Sequence, residues 1–164
     1  MFPRRRTIES DSPPARCAEL AFLGAHGGAG TSTLAALLPP SWDLGSIGGL
    51  LPGEDPVARA CGRRLVIVSR NTVAAAWHAT RAVTAADPDP RAPTRQVAAL
   101  VVVADGAGPE PRDATARFSL LAGRVRRTVR VPFVPALRSV DDPGRVDLPV
   151  RARAALDLLL DLSR

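Results

Sequence analysis

The sequence contains no lysine and no tyrosine, and it has only two cysteines among its 164 residues. All 22 basic residues are therefore arginine, so no site in the chain has the compact ammonium group of a lysine as its cation. Cys17 and Cys61 are too few and too far apart in sequence to predict a metal site or a disulfide framework. We interpret both as reduced thiols.

Long apolar runs are also missing. No segment approaches the roughly 18 apolar residues that a membrane-spanning helix needs, and the arginines of residues 1–6 precede acidic residues and prolines instead of the apolar core of a signal peptide. These features predict a cytoplasmic protein without a membrane span. Residues 1–16 are predicted to form a flexible basic tail. The tail is a candidate contact for nucleic acid or acidic lipid, with a solvated terminus as the alternative.

The composition is that of a single globular domain, which we place at residues 17–164. Hydrophobic residues make up 46% of the chain and the net charge is +6, which is sufficient apolar material for one core. Alanine, proline, valine and arginine are abundant, as is typical of a high-G+C genome. The positive charge therefore has two explanations: an arginine-rich composition set by the genome, or an acidic binding partner.

Strand-like and helix-like segments alternate along the chain, and this alternation predicts an α/β fold with a parallel sheet and flanking helices. Continuous apolar runs indicate strands that are buried on both faces. Strands are predicted at 19–23, 42–44, 64–69, 97–104 and 124–131, and helices at 31–38, 72–86, 112–121 and 149–162. Gly123 is predicted to stop the third helix. Residues 51–63 are predicted to form only a connection that is rich in proline, glycine and charge.

A glycine-rich segment joins the first strand to the first helix. Glycines there permit positive φ angles and let successive N–H groups point inward, which suits an anion such as phosphate. The phosphate-loop pattern G-x-x-x-x-G-K-[ST] is nearly met from Ala25 to Ser32, with Thr31 at the lysine position. The predicted phosphate-binding residues are His26, Gly27, Gly28, Ala29, Gly30, Thr31, Ser32 and Thr33.

This loop resembles that of the MinD/ParA family of deviant Walker P-loop proteins, K-G-G-x-G-K-[ST]-[ST], with His26 and Thr31 in place of the two lysines. Segments 42–51, 65–71, 97–105 and 131–135 resemble later parts of the same family. The chain is also similar to small actinobacterial proteins that carry an H-G-G-A-G-T-S-T loop and are often encoded near conjugative elements. The resemblance implies a shortened, Rossmann-like P-loop NTPase fold, because the helix and the Walker B strand that the family places in the region of 51–63 are missing.

The resemblance also implies a function. It places phosphate on residues 26–33 and Mg²⁺ near Ser32 and Asp43, with ATP or ADP as the nucleotide. Because both lysines and the Walker B aspartate are missing, we expect weak binding and little or no hydrolysis. Such a pseudo-ATPase is expected to act through a protein partner or as a homodimer, in plasmid transfer, partition or secretion.

Several alternatives stay open. The protein is an active ATPase if His26 or an arginine of a second subunit replaces the lysine. It is a DNA-associated factor if the arginines at 124, 126, 127 and 130 contact phosphates. The glycines at 24, 28 and 30 also fit the turn of short-chain dehydrogenases, with Asp43 about 20 residues on as the ribose ligand. That family's catalytic Tyr-x-x-x-Lys cannot occur here, which leaves a dinucleotide-binding module. A glycine-rich turn that binds nothing, with His26 and Asp43 as ordinary turn residues, is the simplest alternative.

Overall fold

The computed structural model describes residues 19–163, so the predicted tail at 1–16 and the thiol of Cys17 lie outside the described residues. Within this range, the predicted strands and helices occur in the predicted order, with one additional short helix between the second and third strands. The strands are β1 Leu20–Gly24, β2 Ser41–Ser46, β3 Arg64–Arg70, β4 Val97–Val103 and β5 Thr128–Val131. The helices are α1 Thr31–Leu37, α2 Pro56–Arg59, α3 Val73–Ala86, α4 Arg112–Leu121 and α5 Val150–Leu160.

The strands form one parallel sheet in the order β2-β1-β3-β4-β5. The chain runs outward from β1 to β2, and then in the opposite direction from β3 through β4 to β5. The reversal lies between β1 and β3, where Leu20 pairs with Arg64 and Gly24 pairs with Val68. In doubly wound sheets of this kind, ligands bind beyond the carboxyl ends of the strands at the reversal. The prediction of a parallel α/β sheet with flanking helices is confirmed.

Helices cover both faces of the sheet. One face packs against α1 and α5 through Phe22, Leu34 and Leu159, all of which are buried. The opposite face packs against α3 and α4 through residues such as Ile67, Val83 and Phe118. The central strands are therefore buried on both sides, which explains why their sequences are continuously apolar instead of alternating.

Helix α3 packs through small side chains. It begins at Thr72, whose Oγ1 accepts a hydrogen bond from the Ala75 N–H at 3.1 Å, as an N-cap residue does. Its buried residues are Ala75, Ala76, Ala79, Ala82, Val83 and Ala86. The side chains at Val73 and Trp77, one turn apart, remain 41% and 53% exposed. The helix thus leaves its largest side chain, that of Trp77, more than half exposed.

Two regions differ from the prediction. The strand predicted at 124–131 begins only at Thr128, because helix α4 continues as a 3₁₀ turn, Ala122–Arg124, that runs through Gly123. The connection at 51–63 contains the short helix α2, which the sequence interpretation missed. Asp55 accepts a hydrogen bond from the Val57 N–H at 2.8 Å and Pro56 occupies the first turn, so an N-cap and proline pair was the available signal.

No helix within residues 19–163 combines the length and the apolar character needed to cross a membrane.

Candidate functional site

The glycine-rich loop follows β1 at the carboxyl edge of the sheet, directly beside the reversal of strand order. Gly24 is required by close packing, because a Cβ at this position would lie 2.9 Å from the His26 carbonyl oxygen and 3.3 Å from that of Gly45. Gly28 and Gly30 have φ angles of +74° and +107°, a region that side-chain-bearing residues rarely adopt. Glycine is therefore needed at position 24 because of close packing, and at positions 28 and 30 because of the backbone conformation.

His26 ties this loop to the neighbouring strand. The backbone N–H of Arg70, the last residue of β3, donates a hydrogen bond to Nε2 of His26 at 3.2 Å. Nδ1 of the same ring lies 2.9 Å from the Gly27 carbonyl oxygen. Because an N–H can only donate and a carbonyl can only accept, these two contacts together match the tautomer of His26 that carries its hydrogen on Nδ1. Both ring nitrogens of His26 are engaged in holding the loop.

The guanidinium of Arg70 also lies against the loop. Its Nε donates to the Gly28 carbonyl oxygen at 3.1 Å, and its Nη1 donates to the Ala104 carbonyl oxygen at 3.4 Å. The same Nη1 lies 4.0 Å from a carboxylate oxygen of Asp105. The sequence interpretation did not single out Arg70. The available signal was its position at the end of an apolar strand, where polar side chains reach the carboxyl edge of the sheet.

The two predicted metal ligands are in direct contact. The hydroxyl of Ser32, in the first turn of α1, donates to Oδ2 of Asp43 in β2 at 2.5 Å. The other carboxylate oxygen, Oδ1, accepts a hydrogen bond from the Gly45 N–H at 2.8 Å. The carboxylate is thereby held beside the loop. The Ser32 oxygen keeps lone pairs for a further partner while its proton is shared with Asp43.

This donor pair fits a magnesium ion that is bound together with a phosphate. Mg²⁺ prefers oxygen ligands and usually keeps several waters, with one or two protein oxygens and substrate phosphates completing the octahedron. Ser32 and Asp43 supply two such oxygens. In residues 19–163, histidine, cysteine and acidic side chains form no group of three that would bind a metal by themselves.

The remaining predicted loop residues are placed in different environments. Ala29 is 2% exposed and belongs to the core beneath the loop, whereas Gly27 is exposed. Thr31 is half-buried. Thr33 lines a small cavity together with Gly30. The structure therefore brings Gly30 and Thr33 to a common concave surface, with Ser32 beside it on α1.

Two concave regions border the loop. An open groove of about 820 Å³ lies between the loop, the end of β2 and helix α3, and it includes His26, Ile47, Trp77 and Arg81 among its lining residues. A smaller cavity of about 90 Å³ lies between the loop, the start of α1 and the segment that follows β5. The loop thus separates a large open groove from a small cavity.

Carboxylates are scarce near this loop. Strand β3, the neighbour of β1, ends in Ser69 and Arg70 and is followed by Asn71, none of which carries a carboxylate. Asp105 follows β4, but its side chain lies 3.6 Å from the guanidinium of Arg138, and its backbone N–H donates to Oδ1 of Asn71 at 2.7 Å. Asp43 supplies the carboxylate beside the loop, through its contact with Ser32.

The arginines proposed as DNA contacts make hydrogen bonds within the chain. Arg124 donates to the Asp87 carbonyl oxygen and Arg126 to that of Arg95. Arg127 donates to the Leu158 carbonyl oxygen at 3.4 Å, and Arg130 forms an ion pair with Glu110 at 2.7 Å. A contact with DNA phosphates would have to use the N–H donors of these arginines that the internal bonds leave free.

Comparisons of the chain with models of protein families, with characterised proteins and with solved structures found no match. The fold and the contacts around the loop therefore carry the functional interpretation.

Proposed function

We propose that this chain is a degenerate, P-loop-like protein of the MinD/ParA type that binds ATP or ADP weakly, with little or no hydrolysis. It acts through a protein partner or as a homodimer, in plasmid transfer, partition or secretion. The α/β sheet has the parallel, doubly wound arrangement that this proposal requires. The carboxyl edge beside the strand reversal, where such sheets bind ligands, carries the glycine-rich loop.

The hydrogen bond between Ser32 and Asp43 is the observation that carries the proposal. The two residues are 11 positions apart and belong to different elements, yet their side chains meet beside the loop at 2.5 Å. The resemblance to MinD/ParA proteins assigns Mg²⁺ to this same pair. The contact places two oxygen atoms of the kind that Mg²⁺ prefers next to each other beside the loop.

The residues present indicate which groups would hold the ligand. Backbone N–H groups of the loop would face the phosphates, and Ser32 and Asp43 would hold Mg²⁺. When bound, Mg²⁺ neutralises phosphate charge and orients the phosphate oxygens. Asp43 keeps the Ser32 hydroxyl oriented, because the Asp43 carboxylate is itself fixed by the Gly45 N–H.

Weak binding and slow turnover follow from the residues that are missing. A charge-assisted hydrogen bond contributes about 1.5–3 kcal/mol, so losing the two lysines of the family pattern weakens nucleotide binding at least about tenfold. In addition, the strand next to β1 ends in Ser69 and Arg70 and is followed by Asn71, so the Walker B aspartate that is missing from the region of 51–63 is not replaced there. Both losses favour a binding protein over an efficient ATPase.

Exposed apolar side chains support the proposal of a protein partner. Val73 and Trp77 lie one turn apart on the outer side of α3, and Trp77 lines the open groove beside the loop. A partner that covers this surface would contact the loop at the same time. Nucleotide binding and partner binding would then be coupled through the groove.

The direct test is a thermal titration of the full chain with ATP, ADP and GTP, with and without Mg²⁺. A ligand at 100 times its Kd adds about 2.7 kcal/mol of stability, and a chain of this size gains about 2–4 °C in Tm per kcal/mol. We expect millimolar ATP or ADP to raise the Tm by a few degrees, and Mg²⁺ to increase the shift. No shift with any nucleotide would refute the proposal.

The alternative of an active ATPase is tested in the same preparation. We expect phosphate release from ATP to stay at the level of a buffer control. Release that is clearly above this control, and that disappears in Ser32→Ala, would replace the non-hydrolytic proposal with an active enzyme. Sedimentation velocity with and without Mg²⁺ and ATP tests whether a homodimer forms.

A further inference from the structure

A cation lies against the loop although the loop sequence contains none. The guanidinium of Arg70 reaches from the end of β3 to the Gly28 carbonyl oxygen, 42 positions away in sequence, with Nε donating at 3.1 Å. The side chain is 24% exposed, so it is largely enclosed while part of it remains accessible. The positive charge that Thr31 cannot supply is therefore present at the loop from another element.

The contacts of Arg70 leave part of its hydrogen-bonding capacity unused. Arginine has five N–H donors. Nε is used by Gly28, and Nη1 is used by Ala104 and lies 4.0 Å from Asp105. Within residues 19–163, Nη2 of Arg70 takes part in no hydrogen bond. The guanidinium is thus held in one orientation by Nε, while both N–H groups of Nη2 remain for a further acceptor.

Arg70 shares a cavity with two residues of the predicted phosphate site. The small cavity of about 90 Å³ is lined by Gly30 and Thr33 on one side and by Arg70 on another. The cavity is smaller than the roughly 300–1,000 Å³ of typical ligand pockets. Most of its other lining residues are apolar, so Thr33, Arg70 and Arg138 are the polar side chains that an anionic group would meet there. The remainder of a larger ligand would have to extend out of the cavity.

We propose that Arg70 is the residue that binds an anionic oxygen of the ligand at this loop, in the role that a lysine of the loop would otherwise have. The inference rests on the proposed function and adds the identity of its cation. The Nε contact with Gly28 orients the guanidinium before the ligand arrives, so less side-chain freedom is lost on binding. Phosphate is the expected group, because a guanidinium matches phosphate oxygens with paired donors.

Other arginines are less well placed. Arg138 also lines the small cavity, but it is 55% exposed and donates to the Asp105 carbonyl oxygen at 2.9 Å. Arg81 lines the open groove on the other side of the loop. Neither has a hydrogen bond to the loop, whereas Arg70 is bonded to it through both its backbone and its side chain.

The inference is tested by titrating inorganic pyrophosphate into the full chain by calorimetry, using the wild type, Arg70→Gln, Arg70→Lys and Arg117→Gln. Arg117 is an exposed residue of α4, so Arg117→Gln removes the same charge away from the cavity. We expect Arg70→Gln to weaken binding about tenfold or more, Arg70→Lys to weaken it less, and Arg117→Gln to stay within about twofold of the wild type.

A second measurement uses only the wild type and so does not depend on the variants folding. Phenylglyoxal modifies accessible arginines, and the labelled positions are read by peptide mass spectrometry. We expect saturating pyrophosphate to protect Arg70 and to leave Arg117 as reactive as before. Protection would show that the bound ligand covers Arg70, and the loss of affinity in Arg70→Gln would show that the covered guanidinium contributes to binding.

The outcomes separate the two proposals. Suppose that the wild type binds pyrophosphate. If Arg70→Gln then binds pyrophosphate equally well, or if pyrophosphate does not change the labelling of Arg70, this inference is wrong while the proposed function stands. If the wild type binds neither pyrophosphate nor any nucleotide, the proposed function and this inference are both overturned.

Discussion

The backbone N–H of Arg70 donates a hydrogen bond to Nε2 of His26 at 3.2 Å. The contact joins the glycine-rich loop to the end of β3, across the point where the strand order reverses. The other ring nitrogen of His26, Nδ1, lies 2.9 Å from the Gly27 carbonyl oxygen. His26 therefore fixes the loop in its observed path.

The first prediction concerns this histidine. We expect His26→Ala to lower the free energy of unfolding by about 1 kcal/mol, because the substitution leaves the Arg70 N–H without its acceptor. This corresponds to a decrease of about 2–4 °C in Tm. The control is His78→Ala. It removes a neighbouring imidazole, whose ring lies 5.9 Å from that of His26, and leaves the Arg70 N–H with its acceptor. Equal effects of the two substitutions would argue against the role of His26 in holding the loop.

Gly24 provides a test of close packing at the same loop. We expect Gly24→Ala to destabilise the fold by about 1–3 kcal/mol, because the added Cβ would lie 2.9 Å from the His26 carbonyl oxygen. Gly27→Ala is the matched control, since a Cβ at Gly27 meets no atom within 4 Å. Urea unfolding of both variants measures the difference. A Gly24→Ala variant as stable as Gly27→Ala would contradict the observed path of the loop.

Magnesium dependence tests the pair of Ser32 and Asp43. If they hold Mg²⁺, Ser32→Ala should reduce the Tm shift with Mg²⁺ and ATP to the shift with ATP alone, because one metal ligand is lost. Asp43→Asn is expected to act in the same direction. Ser119→Ala on α4 is the control, since the Ser119 hydroxyl donates to the Thr115 carbonyl oxygen of its own helix, away from the loop. A Mg²⁺ effect that survives both substitutions would remove this pair from the proposed site.

A pH-dependent contribution to stability is expected from Glu54. The hydrogen bond from the Leu51 N–H, followed by the bond from the Arg59 guanidinium, holds the pKa of the Glu54 carboxyl below its ordinary value. A lowered folded-state pKa means that the charged carboxylate stabilises the fold above the ordinary pKa. This contribution is lost as the pH falls through the lowered value.

Glu54→Gln should therefore be less stable than the wild type at neutral pH, and the difference should shrink in acid. Urea unfolding at a series of pH values measures this convergence. Asp141→Asn serves as the control because it changes another exposed carboxyl. Parallel stability curves for Glu54→Gln and the wild type would show that the Leu51 and Arg59 contacts do not favour the charged form.

Much of the fold follows from local patterns. The continuous apolar runs of β3 and β4 indicate strands buried on both faces, and the structure places both strands inside the sheet. The predicted helix at 112–121 agrees with α4, and the glycine-rich segment lies between β1 and α1 as predicted. These features depend on residues that are close together in sequence. The spacing of their apolar side chains indicates which faces of a helix or strand are buried.

Only the tertiary structure decides which strand ends meet. The pairing of β1 with β3 brings Arg70 to Gly28, and the pairing of β1 with β2 brings Asp43 to Ser32. Strand order depends on how the whole chain packs its two apolar faces, and no short pattern contains that information. The sequence alone therefore indicated a glycine-rich loop without a lysine, whereas packing determined that an arginine from a different strand supplies a cation beside it.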